Sequence, residues 1–119
     1  MCIRDSYTDA YFSRGTSKLV LEDYLGAIAD FNKALGLNPN YATAYSNRGS
    51  AKQKLKNYEG AIADYTKAIG LDPSNGLFYY NRGVAKIIIE QKNSGCLDLS
   101  KAGELGYIKA YDLIKEYGH

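Results

Sequence analysis

A fixed internal period constrains this chain more than any other feature. Sliding the sequence by 34 residues lays residues 7–40 on 41–74 with 18 identities in 34 positions. Tyr11-x-x-Arg14-Gly15-x-x-Lys18 returns as Tyr45-x-x-Arg48-Gly49-x-x-Lys52 and again as Tyr79-x-x-Arg82-Gly83-x-x-Lys86. Gly26-Ala27-Ile28-Ala29-Asp30 returns unchanged as Gly60-Ala61-Ile62-Ala63-Asp64, and Leu37-Asn38-Pro39 returns as Leu71-Asp72-Pro73. The third copy decays after Lys86 but keeps Asp98, Lys101, Ala102 and Leu105 in register. A chain of this kind builds a stack of like units in which each buries its apolar face on its neighbour.

Each unit reads as two helices. Tyr24, Ala27, Ile28, Phe31, Ala34 and Leu35 form the i, i+3, i+4, i+7 stripe of an amphipathic helix, and Tyr58, Ala61, Ile62, Tyr65, Ala68 and Ile69 repeat it. Pro39 and Pro73 cannot continue a helix and mark the joints between units. The first helix of each unit carries a mid-helix glycine, Gly15, Gly49 or Gly83, which costs roughly 1 kcal/mol against alanine. Its recurrence predicts a close helix crossing, with Ala27 and Ala61 at the matching point of the partner helix. In the third unit Gly95 replaces that alanine and Leu99 the aromatic, which predicts a looser hairpin.

The period, the aromatic–glycine spacing, the Ala-x-x-x-aromatic-x-x-Ala run and the prolines resemble tetratricopeptide repeats (TPRs) over about residues 8–107. The arginine before the glycine and the lysine three residues after it depart from the family's usual leucine and tyrosine, as in bacterial-type arrays. The resemblance implies an all-α fold, an α-solenoid of three helix-turn-helix hairpins (about 8–41, 42–75 and 76–107). A solvating, capping helix is expected over 108–119, with Tyr107, Ala110, Tyr111, Ile114 and Tyr117 on its apolar side. Residues 1–6, Met1-Cys2-Ile3-Arg4-Asp5-Ser6, fit no part of the repeat. They resemble the translated mosaic-end sequence of transposon-based DNA libraries, and so are expected to be a non-native scar that adds nothing to the fold. The repeat pattern opens partway through a unit at Tyr7, so the array is expected to be a C-terminal portion of a longer one, and localisation is left open between cytoplasm and periplasm.

The chemical inventory excludes most catalytic and metal-dependent classes. The single histidine, His119, is the last residue, and Cys2 and Cys96 have neither a C-x-x-C spacing nor a histidine companion. No cofactor, metal site or catalytic residue is expected, and the chain is not read as an enzyme. Fifteen basic against thirteen acidic side chains give a net charge of +2, too balanced to point at nucleic acid. No apolar run is long enough to span a membrane. Cys96 reads as a small buried hydrophobe.

Tyr11, Tyr45 and Tyr79 occupy the place where the family has a buried tryptophan and are assigned to the core. Arg14, Arg48 and Arg82 are either a ladder for an anionic partner or structural partners of Asp30, Asp64 and Asp98. The co-recurrence of one arginine with one aspartate per unit favours the second reading. Lys18, Lys52 and Lys86 read as solvated lysines. The resemblance further implies a concave groove lined by the first helices. It draws Phe12, Ser13, Thr16, Leu19 and Val20 from unit one, and Ser46, Asn47, Ser50 and Lys54 from unit two. Leu77, Tyr80, Asn81, Val84, Ile87 and Ile88 come from unit three.

Asn47 matches the asparagine with which chaperone-binding members hold peptide backbone, and Asn81 repeats it one unit on. Phe12 and Leu77 stand where those members need basic residues, so an acidic chaperone tail is not the expected ligand. The expected function is a non-catalytic protein–protein interaction module that binds a peptide or partner helix in this groove. The competing reading is a structural spacer, or a segment that self-associates through its exposed N-terminal hairpin.

Overall fold

The computed structural model describes residues 3–117, and all of its regular structure is helical. The order is α1 (Ile3–Val20), α2 (Tyr24–Leu37), α3 (Ala42–Lys54), α4 (Tyr58–Leu71), α5 (Gly76–Ile88), α6 (Lys92–Glu104) and α7 (Lys109–Tyr117). Helices pair as α1–α2, α3–α4 and α5–α6, and each pair packs on the next through α2–α3 and α4–α5. α7 closes the stack against α6. α1 also touches α3, and α3 touches α5, which makes the side they share the inner, concave one. Of the hexapeptide, Met1 and Cys2 lie outside the described residues. Ile3 to Ser6 form the first turn of α1, as no proline or glycine stops a helix before Tyr7.

Local chemistry sets the helix ends. Asp23 and Asn57 cap α2 and α4, their side chains accepting from the Gly26 and Gly60 amides at 3.1 and 3.0 Å. Asn75 caps α5 by accepting from the Leu77 amide, whereas Gln91 gives α6 no side-chain cap. Every tight turn within a hairpin passes through one left-handed residue: Glu22 (φ 64°), Lys56 (φ 66°) and Glu90 (φ 67°). None is the glycine that this conformation favours.

The crossing within each hairpin is as close as the recurrent glycine implies, but the principal neighbour is a ring and not the alanine. A Cβ on Gly15 would lie 2.8 Å from Phe31, and one on Gly49 would lie 2.8 Å from Tyr65 and 3.2 Å from the Ala61 carbonyl oxygen. Phe31, Tyr65 and Leu99 are each fully buried on these contacts. The third crossing is no looser at this point. Two glycines face each other there, and an added Cβ on either Gly83 or Gly95 would lie 2.8 Å from the other's carbonyl oxygen. The missing alanine methyl is made good by a closer approach of the two backbones.

The closing helix buries Ala110 and packs Leu113 and Ile114 on Leu99 and Ala102. Leu113 was not on the expected stripe, and Tyr111, which was, stays 43% exposed with its ring lying over Gly103.

These contacts sort the glycines by consequence. Gly83→Ala, whose methyl would meet backbone, is expected to destabilise by about 1–3 kcal/mol, and Gly49→Ala by a similar or smaller amount. Gly36 and Gly70 have nothing within 4 Å, so an alanine at either should stabilise by about 0.5–1 kcal/mol. Urea denaturation of the four variants checks the opposite signs.

Candidate functional site

The recurrent arginines are structural. Arg14 donates to Asp30 through Nε and Nη2 at 2.9 and 2.7 Å, Arg48 to Asp64 at 2.9 and 2.7 Å, and Arg82 to Asp98 at 2.8 and 2.7 Å. Each pair is a two-pronged fork between the two helices of one hairpin. The lysines are not merely solvated. Lys18, Lys52 and Lys86 reach the same aspartates at 3.1, 3.1 and 2.9 Å, because the i+4 spacing from the arginine puts both cations on one face. The guanidinium groups also lie over Tyr11, Tyr45 and Tyr79 at 5.5, 5.4 and 5.7 Å from the ring centres. These tyrosines are half-buried beneath the arginines rather than fully enclosed, and Tyr79 packs on the core of the third hairpin. Cys96 is likewise half-buried and free.

The same arginines join neighbouring units. Arg48 donates through Nη1 to Asn32 of the preceding hairpin at 2.9 Å, and Arg82 to Thr66 at 3.3 Å. Arg14 has no such acceptor among the described residues, and its side chain is 60% exposed against 20% and 18% for the other two.

The inner face carries the candidate binding surface. Phe12 stacks on Tyr41 at 4.6 Å and tilts against Phe31 at 6.0 Å, so it serves the joint between units one and two. The Thr16 hydroxyl donates to the Phe12 carbonyl at 2.9 Å and accepts from the Asn47 amide at 3.5 Å. Ser13 is exposed beside them, whereas Ser46 is buried and presents nothing to a ligand.

A cleft of about 450 Å³ opens between α3 and α5. It brings together Ser50, Lys54, Tyr80, Asn81, Val84 and Ile88 from the expected groove, while Phe12, Ser13, Thr16 and Asn47 lie outside it. Val84 and Tyr80 each turn one side to the core under α7, and Tyr80 leans on Tyr107 at 4.7 Å. The amino-acid pattern missed four residues of the lining: Gln53, Lys56, Tyr58 and Tyr65.

Tyr65 supplies the floor of the cleft. Its hydroxyl donates to the Gln53 side-chain Oε1 at 2.8 Å, and having spent its one proton it accepts from the Ser50 hydroxyl at 3.3 Å. Burial pushes the Tyr65 phenol up to about 12, so it stays neutral. Burial also raises the Tyr80 phenol, with the neighbouring Tyr107 adding to the effect.

No cluster of three or more metal-binding side chains occurs among the described residues, and no described helix is long and apolar enough to cross a membrane.

Hairpins of one crossing geometry, stacked with a concave inner face, define a helical-repeat scaffold. The comparisons identify the repeat. Residues 42–75 match the tetratricopeptide repeat model, and residues 21–56 match a second TPR repeat model. The chain is a tetratricopeptide repeat array.

The first TPR of Spaghetti (RPAP3), bound to the HSP90 peptide SRMEEVD, superposes with a TM-score of 0.91 at 22% identity, covering 95% of this chain and 91% of that one. The Arabidopsis OM64 TPR domain gives 0.90 at 24% identity over 95% and 94% of the two chains. The TPR2B-domain:pHsp70 complex of yeast Sti1 gives 0.82 at 27% identity over 84% and 80%. No curated protein matches the sequence.

Removing the carboxylate from the middle of the ladder should be costly, since Arg48 and Lys52 would be left facing each other. Asp64→Ala is expected to lower stability by about 3 kcal/mol. Acid should act on the same contacts. The hydrogen bonds from Arg14, opposed in part by burial and reinforced by Lys18, hold the Asp30 carboxyl below its ordinary value. A carboxyl depressed in the folded state contributes stability above its unfolded pKa and loses it as pH falls through the folded value. Stability should therefore drop on acidification below about pH 4, and by less in Asp30→Asn, as thermal melts against pH would show.

Proposed function

We infer that this chain is a non-catalytic protein-interaction module that holds an extended peptide or partner helix on its concave face. The observation that carries the reading is the cleft between α3 and α5. Tyrosine rings, Val84 and Ile88 offer apolar contact there, while Ser50, Gln53 and Asn81 offer hydrogen bonds, the mixture suited to an extended segment with apolar anchors. Two TPR domains of the same architecture are complexed with chaperone peptides, one from HSP90 and one from Hsp70. Their ligands do not transfer directly, because Phe12 and Leu77 replace the basic residues expected for an acidic chain terminus.

Selection of displayed random peptides against the whole chain tests the reading. Enriched peptides should bind to the wild type, and Asn81→Ala should weaken them by about tenfold while the variant still unfolds as a cooperative helical protein. Absence of any enriched peptide, or equal binding by the variant, would contradict it.

A second reading, self-association through the first hairpin, is favoured by Arg14, whose Nη1 has no acceptor among the described residues and whose side chain is 60% exposed. Tyr7, Ala10, Tyr11 and Arg14 line one hollow on that hairpin, and the arginines at the equivalent place in units two and three bond the preceding unit. Sedimentation velocity should then show concentration-dependent dimers that Tyr7→Glu abolishes, and a monomer at all concentrations would overturn this second reading.

A further inference from the structure

The three units differ most tellingly at the end of the first helix and in the turn that follows it. Val20 and Ile88 of units one and three correspond to Lys54 in unit two, and Glu22 and Glu90 correspond to Lys56. Nothing in the repeat's packing calls for these changes. The backbone at all three turns is the same left-handed conformation, and the glutamates adopt it as readily as the lysine does. Both lysines are exposed, and neither forms an ion pair among the described residues. The middle unit therefore departs from its neighbours by an apolar-to-basic and an acidic-to-basic exchange two residues apart.

Both departures fall on the wall of one cleft. Lys54 and Lys56 line it together with Tyr58, Tyr65, Tyr80 and Val84, and the lining contains no aspartate or glutamate. The three lysines of the ladder are taken up by Asp30, Asp64 and Asp98, so this pair is the cleft's uncompensated charge. A tyrosine-walled hollow of mixed apolar and polar lining, with two ammonium groups at its edge, has a definite complement. It fits a large apolar side chain flanked by carboxylates.

We propose that the cleft between α3 and α5 binds an acidic peptide segment, seating an apolar or aromatic side chain against Tyr80 and Val84 and placing neighbouring Asp or Glu carboxylates on Lys54 and Lys56. This rests on the interaction-module reading and names its ligand class. The charge lies at the C-terminal end of α3 and in the turn after it, whereas Phe12 and Leu77, at the positions where chaperone-binding members need basic residues, do not line the cleft. The carboxylates read here are those of side chains within a segment.

The test is a selection of random heptapeptides displayed between flanking sequences, so that no free terminus is present. It is run in parallel on the wild-type chain and on Lys54→Glu/Lys56→Glu. Lys56→Glu installs the residue that the other two units carry, and both positions are exposed, so the variant should melt as the wild type does. The wild type should enrich peptides with Asp or Glu beside Phe, Tyr, Leu or Ile, and the variant should enrich Lys or Arg at those places instead. Wild-type hits should bind the variant about tenfold or more weakly, the scale of one charge-assisted hydrogen bond, and should weaken as salt rises from about 50 to 500 mM. Enrichment of neutral or basic peptides by the wild type, or identical motifs from both proteins, would overturn the acidic assignment and leave the module reading standing. No enrichment by either protein would overturn both.

Discussion

The closeness of the crossing within each hairpin governs the rest of this structure. At Gly15, Gly49 and Gly83 a side chain as small as a methyl would come within 2.8 Å of a ring or a backbone oxygen of the partner helix. Only glycine admits that approach, and the approach is what buries Phe31, Tyr65 and Leu99 completely. The helix propensity lost at each glycine, about 1 kcal/mol, is small beside the cost of leaving such a side chain in water or in a void. Because each unit has a close crossing at the same place, the units stack in the same order, and α1, α3 and α5 come together along one side. The concave face is a consequence of that repetition.

Electrostatics fixes what packing leaves free. Apolar contact is tolerant of small slips along a helix, whereas a two-pronged arginine–carboxylate fork is not. Asp30, Asp64 and Asp98 are each buried and each satisfied by an arginine and a lysine from the facing helix. The third arm of Arg48 and of Arg82 reaches back to the preceding unit, so the same guanidinium sets both the register within a hairpin and the docking between hairpins. The tyrosine under each guanidinium completes the arrangement and accounts for an aromatic that remains half-buried.

Most of the fold could be read from the amino-acid pattern because its causes are local or periodic. Pro39 and Pro73, the glycine at each crossing and the apolar stripes each act at a fixed place in a 34-residue unit. The arginine–aspartate pairing was also readable, since both residues recur together. What escaped depended on three-dimensional reach. Lys18, Lys52 and Lys86 sit one turn after an arginine, and only the crossing angle brings the aspartate within range of both. Tyr58 and Tyr65 belong to a stripe that looks wholly structural, yet both line the inner cleft together with Gln53 of α3. One signal was present and unused: Lys54 and Lys56 break the repeat at two neighbouring positions.

The site thus follows from the scaffold with few additions. Repetition supplies the curved surface, α7 props Tyr80 and Val84 from behind, and unit two alone contributes the two lysines. The most direct measurement is the map of backbone amide shifts in a two-dimensional NMR titration with a display-selected peptide. The account predicts that the largest changes fall on α3 and α5, around Ser50, Asn81 and Val84, with α2, α4 and α6 little moved except beneath the cleft at Tyr58 and Tyr65. Shifts concentrated on the outer surfaces of α2, α4 and α6 would contradict it.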